Sequence, residues 1–194
     1  MPTGVALQDV RAQLFDAAER ILFRDGPNAL TSRAVTAEAG CAKGVLHRHF
    51  ADFDDFLAQL VLDRIGRIGA QAEALRASAG TGTVAGNLTE ALTALLGPVA
   101  VAILALITFR NELRARLREA RPSGGIPLAT EGAAMIASYL GAERDLGRLP
   151  ADADIDTLAP TLVGAGHLLF ADRTSGPPQP TDVERMVTAV LAGA

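Results

Sequence analysis

The sequence predicts an all-α protein in which three short helices at the amino terminus precede a larger helical body. Three observations carry this. Hydrophobic residues make up 49% of the 194 residues but aromatic ones only 4%, so the apolar mass is mostly Ala, Leu, Val and Ile. Runs of Ala and Leu without β-branched alternation favour helix over strand. Apolar positions also recur at spacings of three and four in one segment after another, the period of a helix with one buried face. Length and composition suit one compact unit or two small ones sharing a core, and exclude disordered and collagen-like chains.

Val10, Leu14, Ala17, Ala18, Ile21 and Leu22 mark the first helix, which Gly26 and Pro27 stop. Thr31 is placed to cap the second by accepting from the Ala34 amide, with Leu30 and Val35 in the two positions of a hydrophobic staple; this helix reaches about Ala39. Gly40 supplies a sharp turn, and Cys41 and Ala42 lead into a third helix from Lys43 to about Phe50. Two short helices with a tight glycine turn form a helix-turn-helix candidate. Asp52, with Asp55 three residues on, starts a long fourth helix whose apolar face includes Phe56, Leu60, Val61, Ile65, Ile68 and Leu75.

Beyond the loop Ser78 to Thr83, helices are expected at about Val84 to Leu96 and Val99 to Glu119, with Pro98 suited to the first turn of the latter. A loop from Arg121 to Pro127 precedes a helix near Ala129 to Leu146 and an acidic link over 150–156. The last two helices cover about Asp156 to Asp172 and Asp182 to Leu191, joined by a loop from Thr174 to Pro180.

A net charge of −4 argues against a protein that coats nucleic acid or acidic membrane with its whole surface. Residues 1–50 carry six bases and five acids, and the remainder twelve and seventeen, so an anionic partner would meet the amino-terminal end. Cys41 is the single cysteine and forms no intrachain disulfide, and the start of the chain lacks a secretion-signal pattern; the cytoplasm is the expected compartment. Ala91 to Phe109 is free of charge and approaches the roughly 20 residues of a bilayer span. Gly97 and Pro98 interrupt it and five arginines follow within residues 110–121, so no membrane partner is expected.

The string LTSRAVTAEAGCAKGVLHRHFADFDDFL, Leu30 to Leu57, closely resembles the DNA-binding signature of the TetR (tetracycline-repressor) family, and LFDAAERILFRDG, Leu14 to Gly26, resembles its first helix. The resemblance is specific over about residues 10–60 and architectural beyond. It implies a helix-turn-helix DNA-binding domain over 1–52 and a helical effector-binding and dimerisation domain over 53–194. The implied function is an effector-responsive regulator: a repressor that binds a palindromic operator in double-stranded DNA as a homodimer and is released by a largely apolar small molecule. The alternative is a helical enzyme or carrier for an apolar metabolite. No Ser/His/Asp, Cys/His or phosphate-loop constellation supports it, and neither catalytic residue nor cofactor is expected.

In this reading the third helix presents Lys43, Val45, His47, Arg48 and His49 to a major groove wide enough for one helix. Thr31, Arg33 and Gly44 complete the expected DNA-contacting set, while Leu46 and Phe50, four apart, form the buried side. The chain departs from the family pattern at Ala42, where a capping Ser is common, at His47 and His49, where Tyr is usual, and at Phe53, where Lys is frequent. The two histidines, two apart on a helix, diverge, so no metal site is expected. Asp52, Asp54 and Asp55 read as helix-start acids, Cys41 as a small core residue, and the row Arg110, Arg114, Arg118 and Arg121 as a solvated face.

In the body, Leu158, Leu162, Ala165 and Leu169, beside Gly164 and Gly166, and Val183, Met186, Val187 and Val190 form two faces that could meet those of a second chain in a four-helix seam, as in the repressors the chain resembles. The implied effector site would be an apolar cavity with a few polar groups, lined by Val101, Leu104, Thr108, Met135, Tyr139 and His167. For His167 alone, a hydrogen-bonded buried histidine is the favoured reading.

Overall fold

The computed structural model describes residues 4–122, 124–172 and 176–193, with side chains from residue 10 onward. Among the described residues there are ten α-helices, one short 3-10 turn at Pro27–Ala29 and no strand. In chain order the helices are α1 Gly4–Arg24, α2 Ser32–Glu38, α3 Val45–His49, α4 Phe53–Ala77, α5 Val84–Leu95, α6 Pro98–Phe109, α7 Asn111–Ala120, α8 Ala129–Asp145, α9 Ile155–Ala171 and α10 Pro180–Leu191. They form two compact units, one of residues 1–62 with 102–124 and the other of residues 63–101 with 125–194.

The first unit is built on α1, which begins six residues before the expected Val10. Of its predicted face, Leu14, Ala17, Ala18, Ile21 and Leu22 are buried and Val10 is half-buried. Gly26, at φ 80, ends the segment in a conformation that disfavours side chains, and Pro27 opens the 3-10 turn. The single helix expected over 99–119 is two, α6 and α7, broken at Arg110 (φ −115, ψ 106). The apolar period runs through the break, since Ile103, Leu106, Leu113 and Leu117 are all buried, so local pattern gives no sign of it. The break coincides with a pairing remote in sequence. Arg110 donates to Asp54 Oδ1 from Nε at 3.0 Å and from Nη2 at 2.8 Å, and its guanidinium lies 5.7 Å from the Phe53 ring centre. Six residues on, Arg116 pairs with Asp52. The row expected to be a solvated face therefore contributes Arg110 to an ion pair.

In the second unit α8 packs on α9, and α5 packs on α10 and α8. Two glycines permit the approach: a Cβ on Gly132 would stand 2.5 Å from Leu95 Cδ2, and one on Gly166 would stand 2.6 Å from Leu96 Cδ1. Asp154 caps α9 by accepting from the Thr157 amide at 3.1 Å. The polar centre of the unit is Glu143, fully buried on α8. Tyr139 Oη donates to its Oε1 at 2.5 Å, Arg148 pairs with it at 3.2 Å, and the Gly80 amide approaches it at 3.4 Å. Asn87 donates to Tyr139 Oη at 2.9 Å, and Arg148 also donates to the Gly82 carbonyl at 2.6 Å. These bonds fasten the 78–83 loop to α5 and α8. No single described helix is long and apolar enough to cross a membrane.

Glu143→Ala should lower unfolding free energy by about 3 kcal/mol, because it strands the buried Tyr139 hydroxyl and leaves Arg148 without its acid. Denaturant titration measures this, and Glu143→Gln, which still accepts, should lose less. Burial and, second, the hydrogen bond to Glu143 push the Tyr139 hydroxyl from 10.0 up to about 12. Between those values the folded chain keeps a proton the unfolded chain has lost, so this contribution to stability is full below about pH 10 and disappears as pH rises towards 12. Tyr139 is the single tyrosine and there is no tryptophan, so phenolate absorbance reads it alone; a midpoint at the ordinary value would contradict its burial.

Candidate nucleic-acid interface

The interface is assembled from α2, α3 and the turn between them. Thr31 Oγ1 accepts from the Ala34 amide at 3.1 Å, as its position predicts. At the other end of α2, Gly40 takes φ 65, which brings its amide to the Ala37 carbonyl at 3.1 Å and the Cys41 amide to the Thr36 carbonyl at 2.9 Å. This pair of bonds is a glycine-dependent helix stop, and it turns the chain sharply towards α3. Cys41 is half-buried in the turn.

The third helix is shorter than expected. It starts at Val45 rather than Lys43, because neither Ala42 nor the N-cap Gly44 offers a side chain to accept from its first amides. Lys43 and Gly44 instead lie in a turn, closed by the Val45 amide on the Ala42 carbonyl at 2.9 Å. Five residues make too short a helix to persist without tertiary support. Leu46 and Phe50 provide that support: both are buried, and Phe50 sits 5.1 Å from Phe56 and 5.8 Å from Phe15, centre to centre.

Asp52 then starts α4, its Oδ1 accepting from the Asp55 amide at 2.9 Å, while Asp55 Oδ2 accepts from the Ala51 amide at 2.8 Å. The Asp55 amide, and after it the charge of Arg116, hold the Asp52 carboxyl below the usual aspartate range.

All eight residues of the expected DNA-contacting set lie in this one unit and none is buried: Thr31, Arg33, Lys43, Gly44, His47 and Arg48 are exposed, Val45 and His49 half-buried. Charge separates them from their neighbours. Arg20 and Arg24 pair with Glu38 at 2.9 and 3.2 Å, and Arg24 also pairs with Asp25. Among the described residues no ion pair involves Arg33, Lys43 or Arg48, so their charge is available to an anion outside the chain. The sequence reading missed Arg11, whose guanidinium bonds the His49 carbonyl at 3.2 Å. The one hint was its position a single turn before the buried Leu14 and Phe15.

The remaining candidates scatter more widely. On α6, Val101 is half-buried, Leu104 buried and Thr108 exposed, its hydroxyl donating to the Leu104 carbonyl at 2.8 Å. Met135 and Tyr139 are buried on α8. His167 is half-buried on α9, and its Nδ1, out of contact with solvent, has no hydrogen-bond partner; the satisfied histidine expected from sequence is corrected here. An open recess of about 260 Å3 is lined by Gln71, Leu75, Ser78, Asn87, Glu90 and Ala94, among others, and includes none of these six residues. Of the two apolar faces of the body, Leu158, Leu162, Val183 and Val187 are buried within the chain, whereas Ala165, Leu169, Met186 and Val190 are half-buried and Leu168 is 74% exposed. Among the described residues no group of three or more His, Cys, Asp or Glu gathers as a metal site would require.

Residues 14–60 match the family described as bacterial regulatory proteins, tetR family. No curated protein matches the chain. Solved structures share its fold. One from Mesorhizobium loti, described as a TetR-family transcriptional regulator, is 16% identical, with 99% of this chain and 96% of that one covered and a TM-score of 0.68. The regulator FadR from Bacillus subtilis, solved in complex with stearoyl-CoA, is 16% identical over 94% and 98% of the two chains, with a TM-score of 0.63. The multidrug binding protein EbrR, complexed with imidazole, is 22% identical over 98% and 97%, with a TM-score of 0.61.

Proposed function

We propose that this protein is an effector-responsive transcriptional repressor that binds a palindromic operator as a homodimer: residues 14–60 match the tetR family of bacterial regulatory proteins, and the chain shares its fold with a solved structure described as a TetR-family regulator. The observation that carries the proposal is the unpaired charge of Arg33, Lys43 and Arg48, exposed around a helix-turn-helix in which Arg20 and Arg24 are neutralised by Glu38 and Asp25 and Arg11 is engaged by the His49 carbonyl and Gln59. Cations left free in this way release counterions when they meet phosphate, and an exposed α3 is of a size to enter a major groove. In this reading residues 1–52 bind DNA and residues 53–194 bind effector and partner chain.

For the dimer, the exposed Leu168 and the half-buried Ala165, Leu169, Met186 and Val190 are among the apolar side chains of α9 and α10 left for a second chain, since Leu158, Leu162, Val183 and Val187 are already buried. Two such helix pairs make a four-helix seam. For the effector, His167 supports a site in the body: a buried nitrogen without a partner is a group that the polar atom of a ligand would satisfy. FadR and EbrR were solved with very different molecules, and we propose only that the effector here is small and largely apolar. Its binding would favour a body geometry that shifts α4 and alters the spacing of the two copies of α3. No bond of the effector is made or broken.

Selection of bound duplexes from a random pool tests the reading, and a two-fold symmetric consensus is expected from a closed dimer. Recovery of asymmetric or single half-sites alone would count against it. Against the selected duplex, Lys43→Ala and Arg48→Ala should each weaken binding without changing thermal stability, and a phosphate contact should reduce the salt slope by about 1. Leu169→Arg should turn the dimer into a monomer in sedimentation, since the new charge has no partner in an apolar seam; a tight dimer would place the seam elsewhere.

A further inference from the structure

We propose that Arg11 is a positioning residue for DNA recognition: it fixes the angle and depth at which α3 is presented, without itself touching the duplex. The inference rests on α3 being the DNA-reading helix.

Arg11 is half-buried on α1. Its Nη1 donates to the His49 carbonyl at 3.2 Å and its Nη2 donates to Gln59 Oε1 at 3.1 Å, while the guanidinium carbon lies 4.6 Å from the centre of the Phe50 ring. Gln59 Nε2 in turn reaches Asp55 Oδ1 at 3.5 Å, and the other oxygen of Asp55 accepts from the Ala51 amide at 2.8 Å. One side chain on α1 thus joins the last residue of α3 to the second turn of α4, and the backbone between them is held from both sides.

The need for such a tie follows from α3 itself. Its first amides have no side-chain cap, its last carbonyls are orphans of the kind every helix end leaves, and a five-residue helix has little rigidity of its own. Burial of Leu46 fixes where α3 sits but leaves it free to roll about that anchor. The bond to the His49 carbonyl and the contact on Phe50 restrict the roll, and the roll decides which edges of His47 and Arg48 face outward. Arginine suits this task and lysine does not: a planar fork reaches two acceptors while lying over an aromatic ring, whereas an ammonium is a single point of charge. Two donors and one face of the guanidinium are committed inside the unit, so Arg11 acts through α3.

The test uses the full chain, the duplex recovered by random-pool selection, and a scrambled duplex of equal length. Arg11→Met keeps the stem that packs on Phe50 and removes the fork. Its Kd for the selected duplex should rise roughly ten-fold, the loss of hydrogen bonds from a charged group, with scrambled-duplex affinity and the salt slope unchanged. Arg11→Lys should fall between Arg11→Met and wild type. Gln59→Ala, which removes one acceptor and leaves Arg11 in place, should lower selected-duplex affinity in the same direction by less, and it decides the matter if Arg11→Met fails to fold. Unchanged selected-duplex affinity in the folded variants overturns the proposal. So does an equal loss on both duplexes with a shallower salt slope, which would make Arg11 a direct phosphate contact. If wild-type protein selects no duplex, the DNA-binding reading itself falls and this one with it; a variant that behaves as wild type on a recovered duplex removes Arg11 alone.

Discussion

Phe50 is the residue on which the first unit turns. Its ring meets Phe15 from α1 at 5.8 Å and Phe56 from α4 at 5.1 Å, edge-on, and these two lie 5.6 Å from each other. Of seven phenylalanines in a chain otherwise poor in aromatics, three thus form one knot and Phe53 stacks 5.7 Å from Phe56. Rings of this size contribute packing beyond their buried area when they meet edge-on or tilted. A five-residue α3 depends on that contribution, because it has neither length nor a side-chain cap to sustain it. Through this contact α3 is held against α1 and the start of α4.

The parts of the fold that were legible in the sequence are those whose cause is local. Thr31 and Asp52 announce helix starts because the acceptor lies three residues from its donor, and Gly40 announces the turn because a positive φ is cheap only for glycine. The parts that were not legible have causes far along the chain. Nothing near Arg110 breaks the apolar period; the break accompanies a pairing with Asp54 across more than fifty residues. The bond from Arg11 to the His49 carbonyl has the same character, since no pattern identifies a partner that is backbone. Glu143 was hidden for another reason: an acid on a helix reads as solvent-facing until Tyr139 and Arg148 are known to lie against it.

The candidate site divides along the same line. The expected DNA-contacting residues follow from the resemblance over Leu30 to Leu57, and the fold leaves all eight unburied in and around α2 and α3. The body residues were chosen by apolarity, which does not distinguish a cavity wall from ordinary core, and the recess lined by Gln71, Asn87 and Glu90 uses none of them. His167 stands out only in three dimensions, where its Nδ1 is seen to lack a partner.

The way α3 is held bears on how its surface changes over evolutionary time. Its anchors are Leu46 and Phe50, which point inward, and a hydrogen bond that Arg11 makes to a main-chain oxygen, which is the same whatever residue occupies position 49. Lys43, His47 and Arg48 are exposed and take part in none of these. Surface substitutions there leave these anchors untouched, so in the proposed reading the face offered to DNA can change without disturbing its mounting. The departure at His47 falls on the free side of that division, whereas His49, half-buried with its ring 6.5 Å from that of Phe50, lies against the support itself.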